Sequence, residues 1–289
     1  MSITLFDWPA GPGLTRAGNI EVLGVACDFG NAYVSGARLG PAAIRAASAQ
    51  SKRPLRQGRD LGDIAVADGA DWPGIVARTR AAVDAIVSAA AIPLVLGGDH
   101  AVSFGAVAAV AAQGPIDVVW FDAHTDFCPW SADEPHNHKQ VLRRIAGLEQ
   151  VQRMLVIGHR GLTYFDESTQ ARALDVCAIS EGRPVLPHDW ASPGRPIYLS
   201  VDVDVLDPTL APGTGHPVPG GLDVETVCTL IRSIATHRTI AGLDLTEVNP
   251  MLDHQAATAR AAATILAVAA DAAMSSIGVT RHSHPGVTA

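Results

Sequence analysis

The stretch Asp117-Val118-Val119-Trp120-Phe121-Asp122-Ala123-His124-Thr125-Asp126 decides how this chain is read. Residues 118–121 form a short apolar run, β-branched then aromatic, of the kind that makes an inner strand. The run stops abruptly in Asp122, His124 and Asp126. Side chains two apart on an extended chain share a face, so these three can converge at the strand's carboxyl end, where the chain leaves the core and water can reach it. Acidic residues also cap helices and close turns, so one such stretch is a weak signal. A second stretch repeats the design: Pro196-Ile197-Tyr198-Leu199-Ser200-Val201-Asp202-Val203-Asp204 is an apolar strand ending in two carboxylates at period two. Clustered carboxylates repel one another, and burying an unpaired one is costly. A cation is the simplest resolution.

Outward from these two stretches the chain alternates between apolar runs and helical patterns. Strands are expected over 21–27, 92–96, 117–121, 153–157, 174–179, 197–203 and 239–245, with a further edge strand over the apolar run 64–67. Helices are expected over 42–49, 75–91, 103–113, 139–149, 224–236 and 256–274. Gly40 and Pro41 open the first of these, because proline at the first helical position loses no hydrogen bond. Alternating strands and helices predict parallel βαβ units and a three-layer α/β/α domain with a central parallel sheet of about eight strands. No change of composition marks a linker. A single domain over 1–289 follows, with a short extension over 1–18 and a polar tail over 280–289.

Composition narrows the function classes. Of 289 residues, 21 are Lys or Arg and 29 Asp or Glu, a net charge of −8 with no basic block, so nucleic acid is not an expected partner. Charged residues make up 17% against the roughly 25% of an average soluble protein, which leans towards burial between subunits. Cys27, Cys128, Cys177 and Cys228 are scattered without metal-ribbon or disulfide spacing; reduced thiols in a cytoplasm fit. No signal peptide is expected at the amino terminus. The alanine-rich tract 261–270 falls short of the ~20 residues that cross a bilayer, and no membrane partner is expected.

In open parallel sheets ligands bind beyond the carboxyl ends of the strands. That edge is expected to collect His100, Asp122, His124, Asp126, Asp202 and Asp204, with Glu247 nearby. Four carboxylates balance two divalent ions, and oxygen-rich mixed ligation points to Mn²⁺ or a similar first-row ion. A water held between two such ions has its pKa lowered towards neutrality.

Gly97-Gly98-Asp99-His100, the Asp122 to Asp126 and Ser200 to Pro208 blocks, and Glu247-Val248-Asn249-Pro250 together resemble the signature blocks of the arginase/agmatinase ureohydrolase family, in the family's order. The blocks 36–45 and 217–222 are also similar, so the resemblance runs from about residue 20 to 275. It implies an arginase-like fold and hydrolysis of a guanidino group to urea and an amine. It also implies a trimeric or hexameric assembly. By the same resemblance two Mn²⁺ would be bridged by Asp122 and Asp202, with His100 and Asp126 completing one ion and His124 and Asp204 the other. Glu247 would bind the guanidinium, and His138 would shuttle the proton to the leaving amine, with His136 as a competing assignment. Asp126 stands with His138 and Glu247 in the expected catalytic set.

Three departures bear on the substrate. Lys139 stands where the family has glycine, Gly213-Thr214-Gly215-His216-Pro217 replaces Gly-Thr-Gly-Thr-Pro, and Ile157-Gly158-His159-Arg160-Gly161-Leu162-Thr163 lacks the acidic residues of arginases. The agmatinase-like branch is therefore the nearer one, with agmatine or a guanidino acid as substrate. His159 and His216 are expected to bind substrate beside Glu247 and His138, and Arg160 and Lys139 to line a pocket for a carboxylate-bearing compound. Asp99 and Asp207 are expected to orient backbone or ligands. A formimidoylglutamate hydrolase releasing formamide is the alternative. A second alternative is a metal-binding assembly protein of this fold without catalysis.

Overall fold

Eight parallel strands form one sheet in the order β2-β1-β3-β10-β9-β4-β5-β6. A computed structural model describes residues 3–11, 17–30, 34–66, 71–129, 136–160, 173–177, 179–180 and 183–277. The strands are β1 (Ile20–Val25), β2 (Arg59–Asp63), β3 (Ile92–Gly97), β4 (Ile116–Phe121), β5 (Val151–Ile157), β6 (Ala173–Cys177), β9 (Ile197–Asp202) and β10 (Ile240–Thr246). A short antiparallel pair, β7 (Ile179–Ser180) and β8 (Arg183–Pro184), lies apart from the sheet. The extension 12–16, the segment 161–172 that holds Gly161 to Thr163, the loop residues 130–135 and the tail 280–289 lie outside the described residues.

Every residue of β1, β3, β4 and β9 is buried, as expected of inner parallel strands covered on both faces. On one face, Leu94, Val119, Phe121, Leu199 and Leu243 meet α1 (Gly40–Ser48), α5 (Val224–His237) and α6 (Ala257–Ser276). On the other, Val95, Val118, Trp120 and Val156 meet α2 (Trp72–Ser88), α3 (Ser103–Ala111) and α4 (Val141–Ala146). Side-chain alternation along β4 thus feeds both cores. The chain reaches β4 from β3 and returns later to insert β9 and β10 between them, so four strands far apart in sequence end side by side.

The expected elements sit where the patterns put them, with two corrections. The edge strand is Arg59–Asp63 rather than the apolar run 64–67. Its position is set by charge. Arg45 on α1 donates two hydrogen bonds to the buried Asp60 at 2.8 and 3.0 Å and a third to Asp63, while the Leu5 amide donates to Asp60 at 2.7 Å. A fork of this kind fixes both partners in one geometry, so the strand pairs around Asp60. The second correction is α6, whose 20 residues are long and apolar enough to cross a bilayer by length and composition. It packs instead against α1, α5 and β10, with most of its surface buried.

Breaking a buried ion pair strands the remaining charge. Arg45→Met is expected to destabilise the protein by roughly 3–5 kcal/mol. Asp60→Asn in the same background should restore part of that loss, a coupling read from a double-mutant cycle in chemical denaturation.

Candidate metal centre and substrate pocket

The four central strands β3, β10, β9 and β4 deliver the site at their carboxyl ends. His100 follows β3 through Gly97-Gly98-Asp99. A Cβ on Gly98 would lie 1.8 Å from the Cys27 carbonyl oxygen, so only glycine lets this turn press against the end of β1. Asp99 caps the turn, accepting from the Ala101 amide at 2.9 Å and from the Gly30 amide at 2.7 Å. Asp122, His124 and Asp126 follow β4, Asp202 and Asp204 close β9, and Glu247 follows β10. Asp126 and Glu247 have φ of 48° and 63°, a left-handed conformation that non-glycine residues adopt at a cost and that clusters at functional sites.

His100 Nδ1 lies 3.2 Å from Asp122 Oδ2, 3.4 Å from Asp126 Oδ2 and 3.1 Å from Asp202 Oδ2. His124 Nδ1 lies 3.4 Å from Asp122 Oδ1 and 2.9 Å from Asp204 Oδ2. Asp122 therefore faces both imidazoles, one with each oxygen. All six residues come together, and five of them form two groups whose ligand atoms lie close enough to share an ion: His100, Asp122 and Asp202, and Asp122, His124 and Asp204; Asp126 joins the first through His100 Nδ1.

The other ring nitrogen of His100 fixes its tautomer. Ser200 Oγ donates to Asp244 Oδ1 at 2.6 Å, so it accepts from His100 Nε2–H at 2.8 Å. Tyr198 OH donates to the second oxygen of Asp244 at 2.8 Å. Nδ1 is left buried among the carboxylates; burial disfavours a charged ring, yet Asp122, Asp126 and Asp202 outweigh it and raise the His100 pKa well above the usual imidazole value. Trp120 stacks on the same ring at 3.9 Å and 8° and donates to Asp122 Oδ2 at 2.9 Å. A histidine locked by such outer partners is how proteins orient a metal ligand.

The electrostatics call for positive charge here. Burial raises Asp126 and so does the Asp122 carboxylate, pushing it to about 7. Burial and the neighbouring carboxylates raise Asp202 and Asp204 likewise. For His124, burial disfavours the charged ring, yet Asp122 and Asp204 outweigh it and hold the imidazole at about 12. Mutually repelling carboxylates packed around two imidazoles, whose pKa they raise, fit positive charge in the form of divalent cations of mixed oxygen and nitrogen ligation.

A cavity of about 340 Å³ opens above this cluster, a size suited to a small ligand. Glu247 lines it, deeply buried, its Oε1 held by the His100 amide at 2.9 Å. Burial, then the Asp99 charge, raises its pKa well above the carboxylate range. His138 also lines the cavity and donates from Nδ1 to the Gly30 carbonyl at 2.6 Å, leaving Nε2 as an acceptor. Burial lowers its pKa to about 4, outweighing the Gly30 bond, so the ring is neutral near pH 7. His136 is not part of this wall: it packs edge-on against Trp72 and donates to the Ala101 carbonyl at 3.1 Å. A larger cavity of about 800 Å³ at the amino ends of the strands holds no cluster of titratable residues among those described.

Lys139 and His216 line the pocket as expected, whereas His159 and Arg160 do not. Arg160 turns its guanidinium onto backbone carbonyls, including Asp204 at 2.7 Å and Val218 at 2.7 Å, and thereby ties the β9 loop to the 218–219 loop. Alternation explains the miss, since His159 and Arg160 lie past a glycine with φ of 100° that breaks the strand's facing pattern. Asp207 accepts from Thr209, Gly220 and Gly221 and organises that same loop. Sequence reasoning did not find Ser200, Asp244, Tyr198 or Trp120. The signal available was polar residues inside apolar strands at period two from the ligands.

Residues 18–270 match the arginase family. The chain is 33% identical to the mitochondrial agmatinase of Gallus gallus over 84% of its length and 78% of that protein's. It is 34% identical to the mitochondrial guanidino acid hydrolase of Homo sapiens over 84% and 75%. The structure of proclavaminate amidinohydrolase from Streptomyces clavuligerus superposes with a TM-score of 0.81 at 28% identity, covering 95% of this chain and 97% of that one. This chain belongs to the arginase family and is a hydrolase of non-peptide C–N bonds in linear amidines.

Proposed function

We propose that this enzyme is a manganese-loaded, binuclear ureohydrolase that cleaves a guanidino compound, agmatine or a guanidino acid, to urea and an amine. The observation that carries this reading is one carboxylate, Asp122, facing two imidazoles through separate oxygens, next to a pocket lined by His124, Asp126, Asp202, Asp204 and the buried Glu247. His100 and Asp126 would serve one ion and His124 and Asp204 the other, with Asp122 and Asp202 shared. Two divalent ions so placed would lower the pKa of water between them towards neutrality and stabilise a developing tetrahedral centre.

The chain's own residues supply the rest. Glu247, an acceptor pair fixed by the His100 amide, suits the paired N–H donors of a planar guanidinium. A cation there offsets the burial that raises the Glu247 pKa. His138, neutral and anchored through Nδ1, can take a proton at Nε2 and return it to the leaving nitrogen. The assembly in this reading is a homotrimer or hexamer, checked by light scattering.

Metal dependence, product identity and variants of the site test the proposal. Chelation should abolish urea release, and in a panel of Mn²⁺, Ni²⁺, Zn²⁺ and Fe²⁺ the manganese should restore it most fully. Formamide in place of urea would make the enzyme a formimidoylglutamate hydrolase, and metal binding without either product would make it a non-catalytic assembly protein. Asp122→Asn and Asp204→Asn should each remove detectable turnover. His138→Asn should lower kcat by about 10²–10⁴-fold with a much smaller effect on KM; a kcat within a few-fold of the parent would remove His138 from the proton path.

A further inference from the structure

The hydrogen bond from His138 Nδ1 to the Gly30 carbonyl holds one edge of the imidazole. The outer torsion of a histidine is broad, so a single bond of this kind leaves the plane of the ring, and with it the aim of Nε2, undetermined. The second contact comes from His216. Its ring lies on that of His138 at 5.2 Å between centroids and 27° between planes, within the range of offset-stacked aromatic pairs. His216 also meets the candidate metal ligand His124 edge-on, at 6.3 Å between centroids. One ring thus bridges the metal centre and His138.

The loop that carries His216 is pinned on both sides. Before it, the Gly213 amide donates to the buried Thr258 Oγ1 at 2.7 Å, and the Gly213 carbonyl accepts from the Asn249 amide at 2.8 Å, two residues past Glu247. A Cβ on Gly213 would lie 2.5 Å from that of Asp253, so this approach requires glycine. After it, Arg160 donates to the Val218 carbonyl at 2.7 Å and to that of Pro219 at 3.3 Å. His216 Nε2 is buried and has no hydrogen-bond partner among the described residues. A buried nitrogen is not presented to a ligand in the cavity, so what this residue contributes is the face of its ring. The threonine of Gly-Thr-Gly-Thr-Pro that His216 replaces has no such face.

We infer that His216 is a positioning residue: stacked on His138 from a fixed loop, it sets the plane of that ring and hence the direction in which Nε2 faces the pocket. The inference rests on the reading above that His138 carries a proton to the leaving nitrogen. Holding a reacting group in its productive orientation raises the rate of the chemical step, so the effect of His216 belongs in kcat and not in KM.

The manganese-loaded enzyme with agmatine and with 4-guanidinobutanoate provides the kinetic test. His216→Ala should lower kcat for urea release by about 2–10-fold, the scale of one aromatic pair, with little change in KM. His216→Phe, which keeps a stacking face and removes both nitrogens, should recover most of that loss. In the His138→Asn background His216→Ala should have no further effect on kcat, as expected where one residue acts through the other. A crystal structure of His216→Ala gives a readout independent of turnover: the His138 ring should leave its parent orientation while His100, His124 and the aspartates stay in place. A full His216→Ala effect in the His138→Asn background, a loss carried by KM, no recovery in His216→Phe, or an unmoved His138 ring would each overturn the inference and leave the ureohydrolase reading standing. Urea from neither substrate would remove that reading, and the crystal structure would still decide whether His216 holds the His138 ring.

Discussion

Mutual repulsion among the carboxylates at the ends of β4 and β9 is the constraint on which the site depends. Asp122, Asp126, Asp202 and Asp204 are brought within reach of two imidazoles in a place with little water to screen them. Carboxylates so placed raise one another's pKa, and protonation or cations must relieve the strain. The interior strands hold this arrangement because hydrophobic burial on both faces fixes their register. The cost of gathering like charges is thereby borne by the whole α/β/α sandwich rather than by a local loop.

Around that cluster the protein spends further polar residues on orientation. The chain Tyr198–Asp244–Ser200–His100 crosses β10 and β9 and decides which nitrogen of His100 faces the carboxylates. Asp99 holds the Gly30 amide, and the Gly30 carbonyl holds His138. The His138 ring and the His100 turn are therefore positioned by the same buried aspartate. Arg160 performs the equivalent task for the opposite rim by gathering backbone carbonyls. A change in any of these outer groups would be felt as a displacement of the residues that line the pocket.

Much of the architecture was legible in the sequence because period-two alternation ends in chemistry at each of the strands that matter. Five of the six candidate ligands are read from residues 122–126 and 202–204 by the direction of side chains on an extended chain, and seven of the eight sheet strands by apolar runs of strand length. Where alternation fails, reading fails with it. Gly158 turns the chain after β5, so His159 and Arg160 leave the pocket that the strand would have given them. The edge strand β2 is positioned by Arg45 and Asp60, a tertiary ion pair that no local pattern announces. Ser200 and Asp244 lie in the interior of strands that read as apolar, and their partnership appears only when β9 and β10 are placed side by side.

A carboxylate cluster arranged in this way is suited to holding two cations at once. Electron paramagnetic resonance of the manganese-titrated protein, with metal content measured in parallel, tests it most directly. Two Mn²⁺ per chain and the spectrum of a spin-coupled pair are expected, reduced to an uncoupled signal in Asp122→Asn. A single ion per chain at saturation, or two ions without coupling, would contradict it.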